Sequence, residues 1–218
     1  MELDNEQKKI INKAIDYLKN NYSDEYTGHD YWHMIRVYQM ATELSQKEGA
    51  DLFIVQMAAL LHDVDDRKLS PETHERLDNA VRFMETNHIS EDDQNRVCDI
   101  IRQVSYRGKD SVAPASIDGK CVQDADRLDA LGAIGIARIF AFGGSNHRPI
   151  YDPRIPPIHS ISAEEYATSP TTSVNHFYEK IFHLKEMMNT KTARSLAEQR
   201  EAFMKNFLTQ FFSEWKEI

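Results

Sequence analysis

Apolar residues recur at helical spacing along most of the chain. Ile10, Ile11, Ala14, Ile15 and Leu18 form a stripe over residues 6 to 21. After a break at Tyr26-Thr27-Gly28, the residues Met34, Val37, Ala41 and Leu44 predict a second helix from near Asp30 to Gly49. A third is predicted from about Asp51 to Val64, with Leu52, Val55, Ala58, Ala59 and Leu61 on its stripe. His62 falls on the same face as Val55, Ala58 and Ala59, an unusual place for an imidazole. Ser70-Pro71 reads as a cap and first helical position, ahead of Leu77, Ala80, Val81 and Met84. Ser90 and Asp93 resemble a capping box. They open a helix with Val97, Ile100, Ile101 and Val104 that stops near Gly108.

Residues 119 to 142 alternate small side chains (Ala125, Ala130, Gly132, Ala133, Gly135, Ala137) with large ones (Val122, Leu128, Leu131, Ile134, Ile139). Glycine costs helix stability, so this pattern predicts one central, buried helix approached closely by a neighbouring backbone and closed by Gly143-Gly144. A Pro-rich polar loop follows over 143–172; loops of that length are functional or mobile. Two amphipathic helices complete the chain. One carries Val174, Phe177, Ile181, Leu184 and Met188; the other starts after Thr190 and carries Ala193, Leu196, Ala197, Met204, Phe207, Leu208, Phe211 and Trp215. No strand pattern of useful length appears. The reading is all-α, one domain over 1–218, with a core at about 25–142, the loop at 143–172 and C-terminal helices at 173–218.

Composition narrows the function classes. Apolar residues at 41% and charged residues at 28% fit a soluble globular chain. The formal net charge of -9 argues against a stable nucleic-acid partner, whose phosphates need Lys and Arg, and against an anionic membrane surface. A small phosphorylated substrate remains compatible, because a bound cation and a few arginines reverse the sign locally. The acidic start Met1-Glu2-Leu3-Asp4 lacks the apolar core of a signal peptide, and no apolar run approaches a membrane span. A cytoplasmic protein is expected. Cys98 and Cys121 lie in apolar segments without CxxC partners and read as buried thiols.

Four clusters carry candidate chemistry: Gly28-His29-Asp30-Tyr31-Trp32-His33, the doublet His62-Asp63, the pair Asp65-Asp66, and the run Gln123-Asp124-Ala125-Asp126-Arg127-Leu128-Asp129. Singly, each also fits a cap or a solvated surface. The doublet, however, ends an apolar helix, where the macrodipole disfavours a carboxylate and burial requires an offsetting cation. Asp126 follows Val122 by one turn, so at least one carboxylate of its run faces the core. Two imidazoles and two carboxylates suit an octahedral divalent ion with positions left for water or substrate. Asp124, Asp126 and Asp129 all remain candidates for the last ligand.

These segments resemble the HD-domain superfamily of metal-dependent phosphohydrolases, in particular a bacterial branch of small proteins similar to YpgQ and YedJ. Ala58-Ala59-Leu60-Leu61-His62-Asp63, Asp124 to Gly132, His176-Phe177-Tyr178-Glu179-Lys180, and Arg200 with Phe203 extend the likeness over most of the chain. The resemblance implies an HD helical bundle with additional C-terminal helices. It implies His33, His62, Asp63 and Asp126 as ligands of one divalent ion, Mn²⁺ or Mg²⁺ ahead of Co²⁺, Ni²⁺, Fe²⁺ or Zn²⁺. It places Asp66, four residues after His62, as the general base or water-orienting acid. Arg36, one step along the helix from His33, and Arg67, Lys68 and His29 are phosphate-binding candidates, and the resemblance adds Lys109. Some HD enzymes hold a second metal, for which His74 and His88 are the histidines in the right interval. The implied reaction converts a (deoxy)nucleoside triphosphate to the monophosphate and pyrophosphate. A phosphomonoesterase, a cyclic-nucleotide phosphodiesterase, a di-iron oxygenase and a non-catalytic nucleotide sensor are the alternatives. The C-terminal Phe211, Phe212 and Trp215 are compatible with a monomer or a homodimer.

Overall fold

The computed structural model describes residues 2–23, 30–66, 70–104, 112–158 and 169–215. The fold is all-α, and the described residues contain no strand. They fall into two compact units. The first comprises described residues up to 104 together with 112–126, and the second runs from 127 onward.

In the first unit, α1 (Asn5–Tyr22) opens on a capping box in which Asp4 accepts from the Glu6 and Gln7 amides. α2 (Tyr31–Glu48) is capped by Asp30 and ends at Gly49, whose φ of 73° is the left-handed conformation that glycine tolerates. α3 (Leu52–Leu61) is buried along nearly its whole length, from Phe53 to Leu61, and packs against α1, α2 and α5 (Glu91–Val104). A short α4 (Asp78–Thr86) packs on α5. The start of α6 (Ile117–Asp129) is tied in by polar bridges. Asp118 accepts from the Asp51 amide at 2.8 Å, and Arg96 spans Asp51 and Asp118 at 3.0 and 3.1 Å. Gln123, fully buried, donates to the carbonyls of Gln103 and Val112.

In the second unit, α7 (Gly132–Ser145) packs against α8 (Ser173–Glu179) and the long α9 (Lys191–Glu214). Phe140, Phe177 and Phe207 meet at ring separations of 6.0 to 6.2 Å, and Phe177 is fully buried.

Four elements differ from the sequence expectation. α3 ends at Leu61 rather than Val64, so His62 is its C-cap. The segment after Ser70-Pro71 is a series of turns, and its helix starts only at Asp78, because a carboxylate from elsewhere supplies the cap (below). The expected helix over 119–142 is two helices. Leu131 is extended and Gly132 takes a φ of 74°, while a Cβ on Gly135 would lie 2.2 Å from the Ala130 carbonyl oxygen. The close backbone approach read from the glycines is thus made by the chain on itself. α7 also runs through Gly143-Gly144 to Ser145. Finally, α8 is only Ser173–Glu179, followed by 3₁₀ turns at Ile181–His183 and Lys185–Met187.

Candidate metal centre

The centre is assembled from helix ends within the first unit. Asp30 accepts the His33 amide at 2.6 Å, which fixes the first turn of α2 and places His33, 1% exposed, in the interior. At the other end of α3, the His62 ring closes onto its own helix: Nδ1 lies 2.8 Å from the Ala59 carbonyl oxygen. A carbonyl only accepts, so Nδ1 carries the proton and Nε2 presents a lone pair. The Asp63 carbonyl accepts the Asp66 amide at 3.0 Å, and the chain leaves α3 through a tight turn.

His62 Nε2 lies 3.3 Å from His33 Nε2. Asp63 Oδ2 lies 3.4 Å from His33 Nε2 and 3.5 Å from His62 Nε2. All three residues are buried, and among the described residues they form the one group of His, Cys, Asp or Glu whose donor atoms converge in this way. Asp126 on α6 stands slightly outside this triangle, with Oδ1 3.5 Å from His33 Nε2 and 4.0 Å from His62 Nε2.

The donor set fits a divalent cation. Two imidazole nitrogens and a carboxylate oxygen face one another at 3.3 to 3.5 Å. Donor atoms 3.3, 3.4 and 3.5 Å apart are close enough to share one divalent ion at bond lengths of about 2.0 to 2.2 Å. Asp126, about a quarter exposed, adds a fourth donor on the open side. Nitrogen and carboxylate donors of this kind hold divalent ions.

The three acidic candidates on α6 separate cleanly. Asp126 approaches the histidines, Asp124 is fully buried, and the Asp129 carboxylate meets the Arg138 guanidinium. Arg36 is half-buried one turn from His33. Asp66, also half-buried, sits just beyond the turn and outside the converging triangle. His74 and His88 stand outside it too. His74 Nδ1 bonds the Asp65 carbonyl at 2.9 Å, and His88 is exposed with a φ of 54°. His29, Arg67, Lys68 and Lys109 lie outside the described residues.

The structure adds residues that the sequence reading passed over. Asp65, read there as half of an acidic pair, is 1% exposed, and its carboxylate accepts the amides of Asn79 and Ala80 at 3.1 and 2.9 Å. Tyr22 donates its hydroxyl to the Val64 carbonyl at 3.1 Å, with burial first, then Tyr17 and the Asp65 and Asp63 carboxylates, raising its pKa so that it stays a donor. No local sequence signal marked Asp65: that α4 begins after Leu77, a residue that caps nothing, is visible only in the structure. Cys98 and Cys121 are buried free thiols, and burial, followed by Asp124, pushes Cys121 up to about 12. In the second unit, burial and then Lys180 and Arg148 push the His176 imidazole down to about 3.

Comparison with known proteins places this geometry in context. The HD domain family model matches residues 31–131. The uncharacterised protein YpgQ of Bacillus subtilis is 42% identical over 195 residues, covering 86% of this chain and 85% of its own. The crystal structure of YpgQ in complex with ADP superposes with a TM-score of 0.75 at 36% identity, covering 94% of this chain and 97% of that one. A crystal structure from Lactobacillus plantarum gives a TM-score of 0.81 at 37% identity and 99% coverage of both chains. An HD-superfamily hydrolase from Bacillus thuringiensis gives 0.76 at 42% identity, over 96% of this chain and 98% of its own. No single helix among the described residues is long and apolar enough to cross a membrane.

Proposed function

Because the chain belongs to the HD-domain family of hydrolases, we propose that it is a metal-dependent nucleotide phosphohydrolase that cleaves a (deoxy)nucleoside triphosphate to the monophosphate and pyrophosphate. The observation that carries this reading is the convergence of His33 Nε2, His62 Nε2 and Asp63 Oδ2 at 3.3 to 3.5 Å, with Asp126 beside them. The complex of the related YpgQ with ADP supports a nucleotide as the ligand class.

His33, His62, Asp63 and Asp126 hold the ion, for which Mn²⁺ or Mg²⁺ is the leading choice. When bound, the ion polarises a phosphoryl oxygen and makes water a better nucleophile at neutral pH. The protein does the rest. The hydrogen bond to Ala59 keeps His62 in the tautomer whose Nε2 is a ligand. Asp66 orients the attacking water and accepts its proton. The water oxygen bonds to the α-phosphorus as the bond to the α,β-bridging oxygen breaks, and pyrophosphate leaves. Arg36 neutralises charge on the phosphoryl oxygens, with Arg67, Lys68, Lys109 and His29 as further phosphate-binding groups.

The test is a hydrolysis screen of EDTA-stripped protein reloaded with Mn²⁺ against dNTPs, NTPs, NMPs and cyclic dinucleotides, with phosphate and pyrophosphate detected separately. Pyrophosphate released from triphosphates, and lost in His62→Ala, is the expected result. Phosphate released from monophosphates would replace this reading with a phosphomonoesterase. Metal bound at one per chain with no turnover on any substrate would point to a sensor.

A further inference from the structure

We propose that the buried carboxylate of Asp65 is a positioning residue for the metal centre, clamping the His62-Asp63 turn against the start of α4; this rests on the metal-dependent reading above. The first amides of a helix need acceptors, and no N-cap side chain of α4 supplies one to Asn79 or Ala80. Its N-cap is Leu77, which makes no side-chain cap bond. Asp65 fills that place from fourteen and fifteen residues upstream, one oxygen to the Asn79 amide at 3.1 Å and the other to the Ala80 amide at 2.9 Å. A carboxylate suits a helix N-terminus, and two charge-assisted bonds offset the desolvation of a group that is 1% exposed.

The clamp is reciprocal. The Asn79 side chain donates to the Val64 carbonyl at 3.3 Å and to Thr73 Oγ1 at 3.2 Å. Tyr22 donates to the same Val64 carbonyl, and His74 Nδ1 to the Asp65 carbonyl. Both carbonyls that follow Asp63 are therefore held, one from α1 and α4 and the other from the turns before α4. Leu77 lies in the left-handed region, with φ 58° and ψ 41°, while its side chain is 3% exposed. Bulky residues rarely adopt that conformation, and it persists only where surrounding contacts over-determine it. Here it turns the chain so that the amides of Asn79 and Ala80 face Asp65. With Asp65 two residues from Asp63, loosening this bond set lets Asp63 Oδ2 drift from the two imidazoles.

The experiment is Mn²⁺ titration of the EDTA-stripped full chain by calorimetry, with the electron paramagnetic resonance spectrum of the bound ion, for wild type, Asp65→Asn, Asn79→Ala and Asp4→Ala. Asp65→Asn keeps the shape but turns an amide N–H toward a backbone N–H. Asn79→Ala keeps the carboxylate and both amide donors but removes the α4 donor to the Val64 carbonyl, leaving only Tyr22, so it carries the test if Asp65→Asn does not fold. Asp4→Ala removes a helix cap of the same kind at the far end of α1. Asp65→Asn is expected to bind Mn²⁺ about 10 to 100-fold more weakly with an altered spectrum. Asn79→Ala should shift the same way by less, and Asp4→Ala should lower the melting temperature while binding Mn²⁺ like wild type. Wild-type binding in Asp65→Asn and Asn79→Ala would overturn the clamp alone, as would equal weakening in Asp4→Ala. A wild-type chain that binds no divalent ion would defeat the metal-dependent reading and the clamp with it.

Discussion

Metal removal should destabilise the first unit by an amount that follows from mass action. An ion present at a hundredfold its dissociation constant, bound only by the folded state, contributes about 2.7 kcal/mol. From the structure, His33 Nε2, His62 Nε2 and Asp63 Oδ2 face one another at 3.3 to 3.5 Å with side chains no more than 9% exposed. The unfolded chain does not hold these atoms together, so the ion binds the folded state and stabilises it by about that amount. For a chain of 218 residues, each kcal/mol moves the melting temperature by about 2 to 4 °C, so saturating Mn²⁺ should raise it by about 5 to 10 °C over EDTA-treated protein. Circular dichroism melts with and without Mn²⁺ measure the shift. Asp63→Ala should abolish it. Hydrogen exchange should show new protection in α2, in α3 with its following turn, and in the first three turns of α6. A shift below about 1 °C at saturating ion would refute the reasoning. So would an undiminished shift in Asp63→Ala, or protection confined to residues beyond 127.

Three further outcomes are expected. Asp66→Asn should lower kcat by about 10² to 10⁴-fold while leaving Mn²⁺ affinity within a few-fold of wild type; unchanged kcat in a steady-state pyrophosphate assay would remove Asp66 from the chemistry. The His176 imidazole titrates near 3 in the folded chain against an ordinary 6.5, so on acidification the unfolded chain takes up the proton first. The stability that its neutral form contributes is complete above about pH 6.5 and is lost as pH falls toward 3, at up to about 1.4 kcal/mol per pH unit. Urea unfolding at pH 7 and pH 5 should show that slope in wild type and a flatter one in His176→Asn. Gly132→Ala should cost about 1 to 2 kcal/mol for a Cβ in the left-handed region. The new Cβ also presses on Arg200 Cγ, 3.2 Å from its position, whose guanidinium bonds the Leu128 carbonyl. Urea unfolding of that variant measures the loss.

Periodicity alone determined that this chain is all-helical and where most helices lie, because a stripe of apolar residues at 3.6-residue spacing has few other ways to be buried. α1, α2, α5 and α9 follow their stripes and caps closely. The residue types His33, His62-Asp63 and the acidic run on α6 were equally visible, since imidazoles and carboxylates on core-facing positions conflict with burial unless something offsets them. Their resemblance to the HD family named the chemistry.

Only the tertiary structure decided the rest, wherever the deciding partner lies far along the chain. Local spacing could not choose among Asp124, Asp126 and Asp129, because it does not say which face of the helix meets the histidines; in the structure Asp126 Oδ1 stands 3.5 Å from His33 Nε2, ninety-three residues away. α3 stops at Leu61 on a local contact, where His62 turns back onto Ala59. α4 waits until Asp78, because its cap is Asp65 rather than a neighbour in sequence. The break between α6 and α7 depends on whether Gly132 spends its conformational freedom on a left-handed turn, a choice settled by what packs against it. Hydrophobic pattern is a local property and is written in the sequence. Which polar atom meets which is a property of distance in three dimensions, and in this protein that is what brings His33 to the His62-Asp63 doublet.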